Sequence, residues 1–348
     1  MTQKHNPSLR FGLWYDFRNP TRWRQPSDRL YGEIFEQIAW AETLGFDDVW
    51  LSEHHFIDDG YSPALLPIAA AVAARTKTIR IATGVMLAPF HNPVRLAEDA
   101  ATVDVISGGR FELGIGVGYK VEEFEGFAIK YDERGGRTNE LLEIVRRLFE
   151  GEKLTYRGKH FEFNNVRLTP EPIQKPRPPI WVGGFTPAAM RRVARYGDGF
   201  MGPPIPLKPL YDIYRREMAK LGKSEANCRI AGGYSWLIVS DDPEKTWNEA
   251  ADHVIYQLNN YAEWFGRAAN TVPEQIRNRG QLKANGALRV ATPDECVRMI
   301  REIVADVPLT HFLSWTLPPG LPPKWAAPHI ELMAKKVIPA FRQVPSSN

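Results

Sequence analysis

Cysteine is scarce in this chain of 348 residues: only Cys228 and Cys296 occur, far apart and in no metal-ligand spacing. That argues against a disulfide framework and leads us to expect a reducing, cytoplasmic setting. Long apolar runs are missing too, so no membrane-spanning helix is expected. The opening stretch "MTQKHNPSLR" lacks the apolar core of a secretory signal. Charge of one sign is not in excess either. Lys plus Arg outnumbers Asp plus Glu by 44 − 41 = 3, with no lysine-arginine run, which speaks against nucleic acid or an anionic membrane as partner. Aromatic residues, by contrast, are plentiful: 10 Trp, 12 Tyr and 17 Phe. Such an inventory suits a large core or a flat, apolar ligand.

Short apolar runs alternate with stretches of helical period. "LRFGLWY", "FDDVWLS", "TIRIATGVML", "RFELGIGVG", "PPIWVGG", "DGFMG", "CRIAGGYSWLIVS" and "LTHFLSWTL" read as strands, most of them nearly continuous in apolar residues, as strands buried on both faces are. Between them lie amphipathic segments; in "DRLYGEIFEQIAWAETLG", Leu30, Ile34, Ile38 and Ala41 share one helical face and Gly45 marks the stop. Eight strand–helix units in order predict a closed (β/α)₈ TIM-type barrel with insertions; a doubly wound sheet is the competing arrangement. The whole chain, 1–348, is expected to be one such domain. Two stretches exceed the repeat. Residues 151–179 read as a hairpin with a proline-rich connection, and 255–290, including "YQLNNYAEWFGRAAN", as an aromatic-rich insertion of the kind that forms binding walls.

In a barrel of this type, chemistry sits at the C-terminal ends of the strands. The residues predicted there are mostly flat, apolar or glycine; Glu53-His54-His55 is the exception. Zinc motifs space their histidines helically, whereas neighbours in an extended segment point to opposite sides, so His54 and His55 do not suit a shared metal. "LGIGVGYK" falls short of the dinucleotide fingerprint because its third glycine position is Tyr119. Gly114, Gly116 and Gly118 either let the strand bend or admit a planar ring against their backbone. In "WVGGFTPAAMRR", Gly183 and Gly184 free the backbone, Thr186 is placed to cap a helix and Pro187 to open it. Such a helix start either is simply capped or binds a phosphate.

Taken together, "GFDDVWLSEHHF", "TGVMLAPFHNPVRLAEDAATVDVISGGRFELGIGVG" and "PPIWVGGFTPAAMRRVARYGDGF" resemble the bacterial luciferase-like flavin monooxygenases, from the first strand to about residue 200. The resemblance implies a (β/α)₈ barrel that uses reduced FMN or, in one branch, a deazaflavin coenzyme. It implies a catalytic His54, with His55 as a supporting partner, and a non-prolyl cis peptide at Gly84–Val85. Thr83, Gly84, Val85, Gly116, Gly118, Tyr119, Gly183, Gly184, Phe185 and Thr186 are then expected around the cofactor, with Arg192 near its phosphate. Trp14, Phe56, Trp264, Phe265 and Trp315 are expected to wall the substrate. Luciferase's phosphate-binding arginine is replaced by Val117 and its reactive cysteine by Gly116, so light emission is not implied. The activity implied is monooxygenation of a small, hydrophobic organic molecule by dioxygen, with reduced FMN delivered by a separate flavin reductase. The alternatives are hydride transfer by a deazaflavin enzyme and a non-catalytic flavin-binding protein on the same barrel. Family members often pair, and "AAAVAART" suits close helix packing, so a homodimer is expected.

Overall fold

The structure, a computed structural model, describes residues 9–204 and 206–342. The opening residues 1–8, where no signal was read, and the last residues of the final predicted helix therefore lie outside the described part. In chain order the strands are β1 (Arg10–Tyr15), β2 (Asp48–Leu51), β3 (Arg80–Thr83), β4 (Met86–Leu87), β5 (Phe111–Gly116), β6 (Leu154–Arg157), β7 (Glu162–Val166), β8 (Ile180–Gly183), β9 (Gly199–Met201), β10 (Ile230–Gly232), β11 (Trp236–Val239), β12 (Leu288–Ala291) and β13 (His311–Trp315). The helices are α1 (Ser27–Thr43), α2 (Leu65–Arg75), α3 (Pro93–Ser107), α4 (Val121–Gly126), α5 (Arg134–Phe149), α6 (Pro187–Tyr196), α7 (Lys208–Lys220), α8 (Pro243–Ala269), α9 (Arg279–Asn285), α10 (Pro293–Asp306) and α11 (Pro323–Leu332).

Parallel pairing runs β3-β2-β1-β13-β10-β9-β8-β5, and β3 pairs back with β5, closing an eight-stranded barrel. Its bore is filled in layers by alternate residues of each strand. The lowest layer is ionic: Arg10 grips Asp48 at 2.8 Å, Arg80 binds Glu112, and His311 lies beside them. Above it, Trp50 and Trp181 plug the bore edge to face, with Ala82, Ala231 and Leu313. Glycine makes room for this plug, since a β-carbon on Gly199 would fall 2.3 Å from the Trp181 ring. Gly84, Gly116, Gly183, Met201, Trp14 and Trp315 form the open upper layer. Outside the strands, the apolar faces of the helices, such as Leu30, Ile34, Ile38 and Ala41 of α1, build the main core.

The structure departs from the sequence expectations in four places. "TIRIATGVML" is interrupted after Thr83, where the Gly84–Val85 peptide is cis and β4 resumes the pairing with β5. "CRIAGGYSWLIVS" holds two strands. The chain passes close to β13 at Gly233, where a β-carbon would meet the Leu313 carbonyl at 2.3 Å, bends at Ser235, and β11 leaves the barrel to pair with β12. Residues 119–131, which the sequence pattern assigns to no strand or helix, contain α4. Residues 255–269, expected as the start of an insertion, continue the 27-residue α8. Residues 151–179 hold the antiparallel β6–β7 hairpin and a stretch with cis prolines at Pro170 and Pro176.

Candidate active site

The segment after β2 leaves the barrel rim extended and turns its two histidines apart, as neighbours in extended backbone must. His54 faces the bore. Its Nδ1 lies 2.8 Å from Glu123 Oε1 and its Nε2 3.0 Å from the Tyr119 hydroxyl. The same Glu123 oxygen accepts the His55 backbone N–H at 2.8 Å. His55 turns away, bonding Glu53 Oε1 at 2.7 Å, with His91 3.4 Å from that oxygen. Burial alone would push the Glu53 carboxyl up, but bonds from His55 and His91 outweigh it and hold the group below the ordinary carboxylate range. Ser52 fixes the rim by donating to the Gly84 carbonyl at 2.7 Å and accepting from the Trp14 indole.

A cavity of about 580 Å³ opens over the upper layer of the bore. Val85 rises into it between two glycines. A β-carbon on Gly116 would lie 2.5 Å, and one on Gly183 2.8 Å, from the Val85 methyls, so any side chain there would displace it. The floor there is apolar, made of the Val85 methyls seated against glycine backbone. Thr83 sits below it, its hydroxyl donating to the Gly114 carbonyl at 2.8 Å and accepting that residue's N–H at 2.7 Å, which pins β3 to β5 at the break. At one end, Gly184, Phe185 and Thr186 lead into α6. Thr186 caps the helix by accepting the Ala189 N–H at 3.2 Å. Arg134 and Arg192 line the same end. Arg192 is oriented by a 2.7 Å bond to Asn139, and burial lowers its guanidinium from the ordinary value.

The opposite wall is aromatic. Trp14 and Trp315 stack at 4.0 Å, and α8 contributes Leu258, Tyr261, Phe265, Ala268 and Ala269 from one face. Tyr119 stacks on Phe265 at 4.3 Å, and the Tyr61 and Tyr261 hydroxyls share a 2.9 Å hydrogen bond. Burial raises the phenols of Tyr61, Tyr119 and Tyr261, which keeps them protonated. Behind this wall Arg18 is wholly buried. It bonds Asp59 at 2.6 Å and lies 5.3 Å from the Tyr61 ring. Asp16, also buried, receives the Arg18 N–H at 3.3 Å and the Gln257 amide at 3.1 Å; burial raises its carboxyl to about 6.

Of the residues read from sequence, His54, Gly84, Val85, Gly116, Gly118, Tyr119, Gly183, Gly184, Phe185, Thr186, Trp14, Phe265 and Trp315 line this cavity. Four do not. Thr83 and His55 lie just outside, as described. Trp264 is buried against the His54 ring at 4.8 Å, one layer behind the surface. Phe56 is a correction: it is 61% exposed and packs on Phe127 outside the barrel mouth. Its backbone is left-handed (φ 56°), and that turn swings the side chain away from the site. Sequence reading missed Glu123, Arg134, Tyr61 and Tyr261. For Glu123 the available signal was a pair of acidic residues, Glu122 and Glu123, in the first turn of α4.

Comparison with known proteins places this geometry in context. The family described as luciferase-like monooxygenase matches residues 9–311. The chain is 30% identical over 201 residues to the oxygenase component of a flavin-dependent trigonelline monooxygenase from Acinetobacter baylyi, covering 57% of this chain and 55% of that protein. It is 33% identical over 228 residues to a 5,10-methylenetetrahydromethanopterin reductase of Archaeoglobus fulgidus, covering 64% and 65%. Among solved structures, the monooxygenase RslO1 from Streptomyces bottropensis superposes with a TM-score of 0.79 at 28% identity, over 96% of this chain and 100% of that one.

Proposed function

The chain belongs to the luciferase-like monooxygenase family, and from that premise we propose that it is an oxygenase component that uses reduced FMN and dioxygen to oxidise a small hydrophobic organic molecule. The observation that carries this reading is the glycine-flanked Val85 floor with a capped helix start and two arginines at one end and His54 at the other. The fit is chemical. A planar tricyclic ring needs an apolar floor with few projecting side chains, and Gly116 and Gly183 leave Val85 as the one that rises between them. A phosphate needs donors and positive charge, which the α6 N-terminus, Arg192 and Arg134 offer. When bound, reduced FMN supplies the two electrons by which dioxygen is split between product and water.

The rest is the protein's work. Gly116, Gly118, Gly183 and Val85 support the ring, and Gly184, Phe185 and Thr186 take the phosphate end. The aromatic wall of Trp14, Trp315 and Phe265 keeps water from the reacting atoms. His54, with Glu123 behind it, serves proton transfer at that wall. A relative named as an oxygenase component supports a separate flavin reductase as transient partner. Val105 and Ile106, 40% and 48% exposed on α3, support a homodimer through the early helices, which sedimentation would report directly. Two buried free cysteines accord with a reducing cytoplasm.

A second reading is hydride transfer with a deazaflavin coenzyme. A reductase among the relatives favours it, as does the histidine–carboxylate pair at the rim. Quenching of Trp14 and Trp315 fluorescence on titration with FMN and with the deazaflavin coenzyme separates the two readings. Oxygen-dependent NADH use in the presence of an added flavin reductase is the expected result. Binding of the deazaflavin alone would transfer the assignment to hydride chemistry, and binding of neither ring would end both readings.

A further inference from the structure

Both ring nitrogens of His54 are already engaged, so the imidazole has no free edge with which to meet a substrate. Glu123 Oε1 accepts the His55 N–H and so acts as acceptor toward the ring as well, which places hydrogen on His54 Nδ1. In the neutral ring Nε2 is then an acceptor, and its partner at 3.0 Å is the Tyr119 hydroxyl. That bond takes the only proton Tyr119 has. What Tyr119 still offers to the cavity it lines is a lone pair on Oη.

We infer that Tyr119, His54 and Glu123 form a proton relay that removes the hydroxyl proton of a phenol or alcohol substrate, with Tyr119 as the catalytic residue and His54 and Glu123 as positioning residues acting through it. The inference rests on the redox-ring reading of the cavity for its setting and names the substrate class for that site. A lone pair facing the ligand selects O–H over a carbonyl or an ether, which would present lone pairs of their own. In the step, the substrate O–H bond breaks and its proton passes to Tyr119 Oη. The Tyr119 O–H bond breaks in turn, and that proton passes to His54 Nε2. The electron pair stays on the substrate oxygen, and no atom is oxidised or reduced. The imidazolium that results lies beside Glu123, in the geometry by which a carboxylate steadies a catalytic histidine. Burial, which holds the Tyr119 phenol well above its ordinary value, supports the two transfers occurring together without a free tyrosinate. The rings are held for it: Tyr119 stacks on Phe265, and His54 is fixed between Tyr61 at 4.9 Å and Trp264 at 4.8 Å.

The test uses 4-nitrophenol and its methyl ether 4-nitroanisole as probes of the full chain. Wild type is expected to bind the phenol about tenfold or more tightly than the ether, and to hold it as the yellow phenolate at a pH where the free probe is mostly protonated. Tyr119→Phe and His54→Gln should each erase the phenolate signal, and the double variant should be no worse than either single change. His54→Gln gives the same comparison should the tyrosine variant melt early. Equal binding of both probes, no saturable binding of the phenol, or an intact phenolate signal in Tyr119→Phe would each overturn the relay. Titration of the same proteins with FMN and deazaflavin keeps the two questions apart. Ring binding without the phenolate signal removes the relay alone, and the signal without ring binding removes the redox assignment alone.

Discussion

A β-carbon added to Gly116 would sit 2.5 Å from a Val85 methyl, well inside van der Waals contact. Val85 stands between β3 and β4, both paired to β5, so Gly116→Ala should tilt it into the cavity. We expect ring affinity to fall at least about tenfold, against a stability cost of about 1–3 kcal/mol from overpacking; quenching titration and thermal melting read the two effects separately. Asp16 offers a second residue-scale prediction, this time with a sign in pH. Burial raises its carboxyl to about 6. A carboxyl whose folded value lies above its unfolded one contributes stability that is fully present below the unfolded value and is lost as pH rises through the folded one. The difference in melting temperature between Asp16→Asn and wild type should therefore shift in favour of the variant between pH 4 and pH 8. A difference independent of pH would mean that Asp16 is not held protonated in the native protein.

At the scale of elements, α6 and α4 do for the site what no single residue does. The start of α6 combines the Thr186 cap, the positive end of the helix and the nearby Arg192. If it holds a phosphate, Arg192→Gln should weaken FMN about tenfold or more, the worth of a charge-assisted bond, and leave riboflavin, which lacks the phosphate, nearly unchanged. Equal losses for both ligands would assign Arg192 to packing. The six-residue α4 carries Glu123 to His54, and Glu122 on the same turn binds Arg267 of α8. That exposed pair ties the carboxylate-bearing helix to the aromatic wall, although such surface pairs contribute little to global stability.

On the scale of the whole molecule, the barrel divides into an ionic base, a tryptophan plug and an open glycine-rich top. The base couples the fold to acid. Burial lowers His311 to about 3, helped by Arg10, Arg229 and Arg80 and opposed by Glu112. A histidine held neutral in the fold contributes stability that is present above its unfolded value, near 6.5, and is lost as pH falls toward the folded one. His311→Asn should thus lose less unfolding free energy than wild type between pH 7 and pH 4, measured by denaturant titration. Parallel pH curves for the two proteins would assign the acid response to other groups. The plug separates this base from the cavity, so the same substitution should leave ring binding unchanged.

Strand and helix order was legible in the chain because strands buried on both faces read as short, nearly continuous apolar runs and helices repeat burial every third to fourth residue. Neighbours along the sequence carry both signals unaided. The Glu-His-His segment and the glycines of β5 and β8 were legible as a candidate site for a related reason: their residue types are unusual at a strand end wherever the chain goes next. His54 could be named from such local pattern, but its partner could not. Glu123 stands 69 residues further on, in a short helix whose six residues are too few to show a period. Phe56 was misplaced because a left-handed backbone at one position reverses a side chain without leaving a mark in composition. The aromatic wall at the end of α8 was legible from its composition, whereas Arg18 beneath Tyr61 and β11 outside the barrel were decided only when the barrel closed. Each depends on which distant surfaces exclude water from one another, and that is a property of the closed fold.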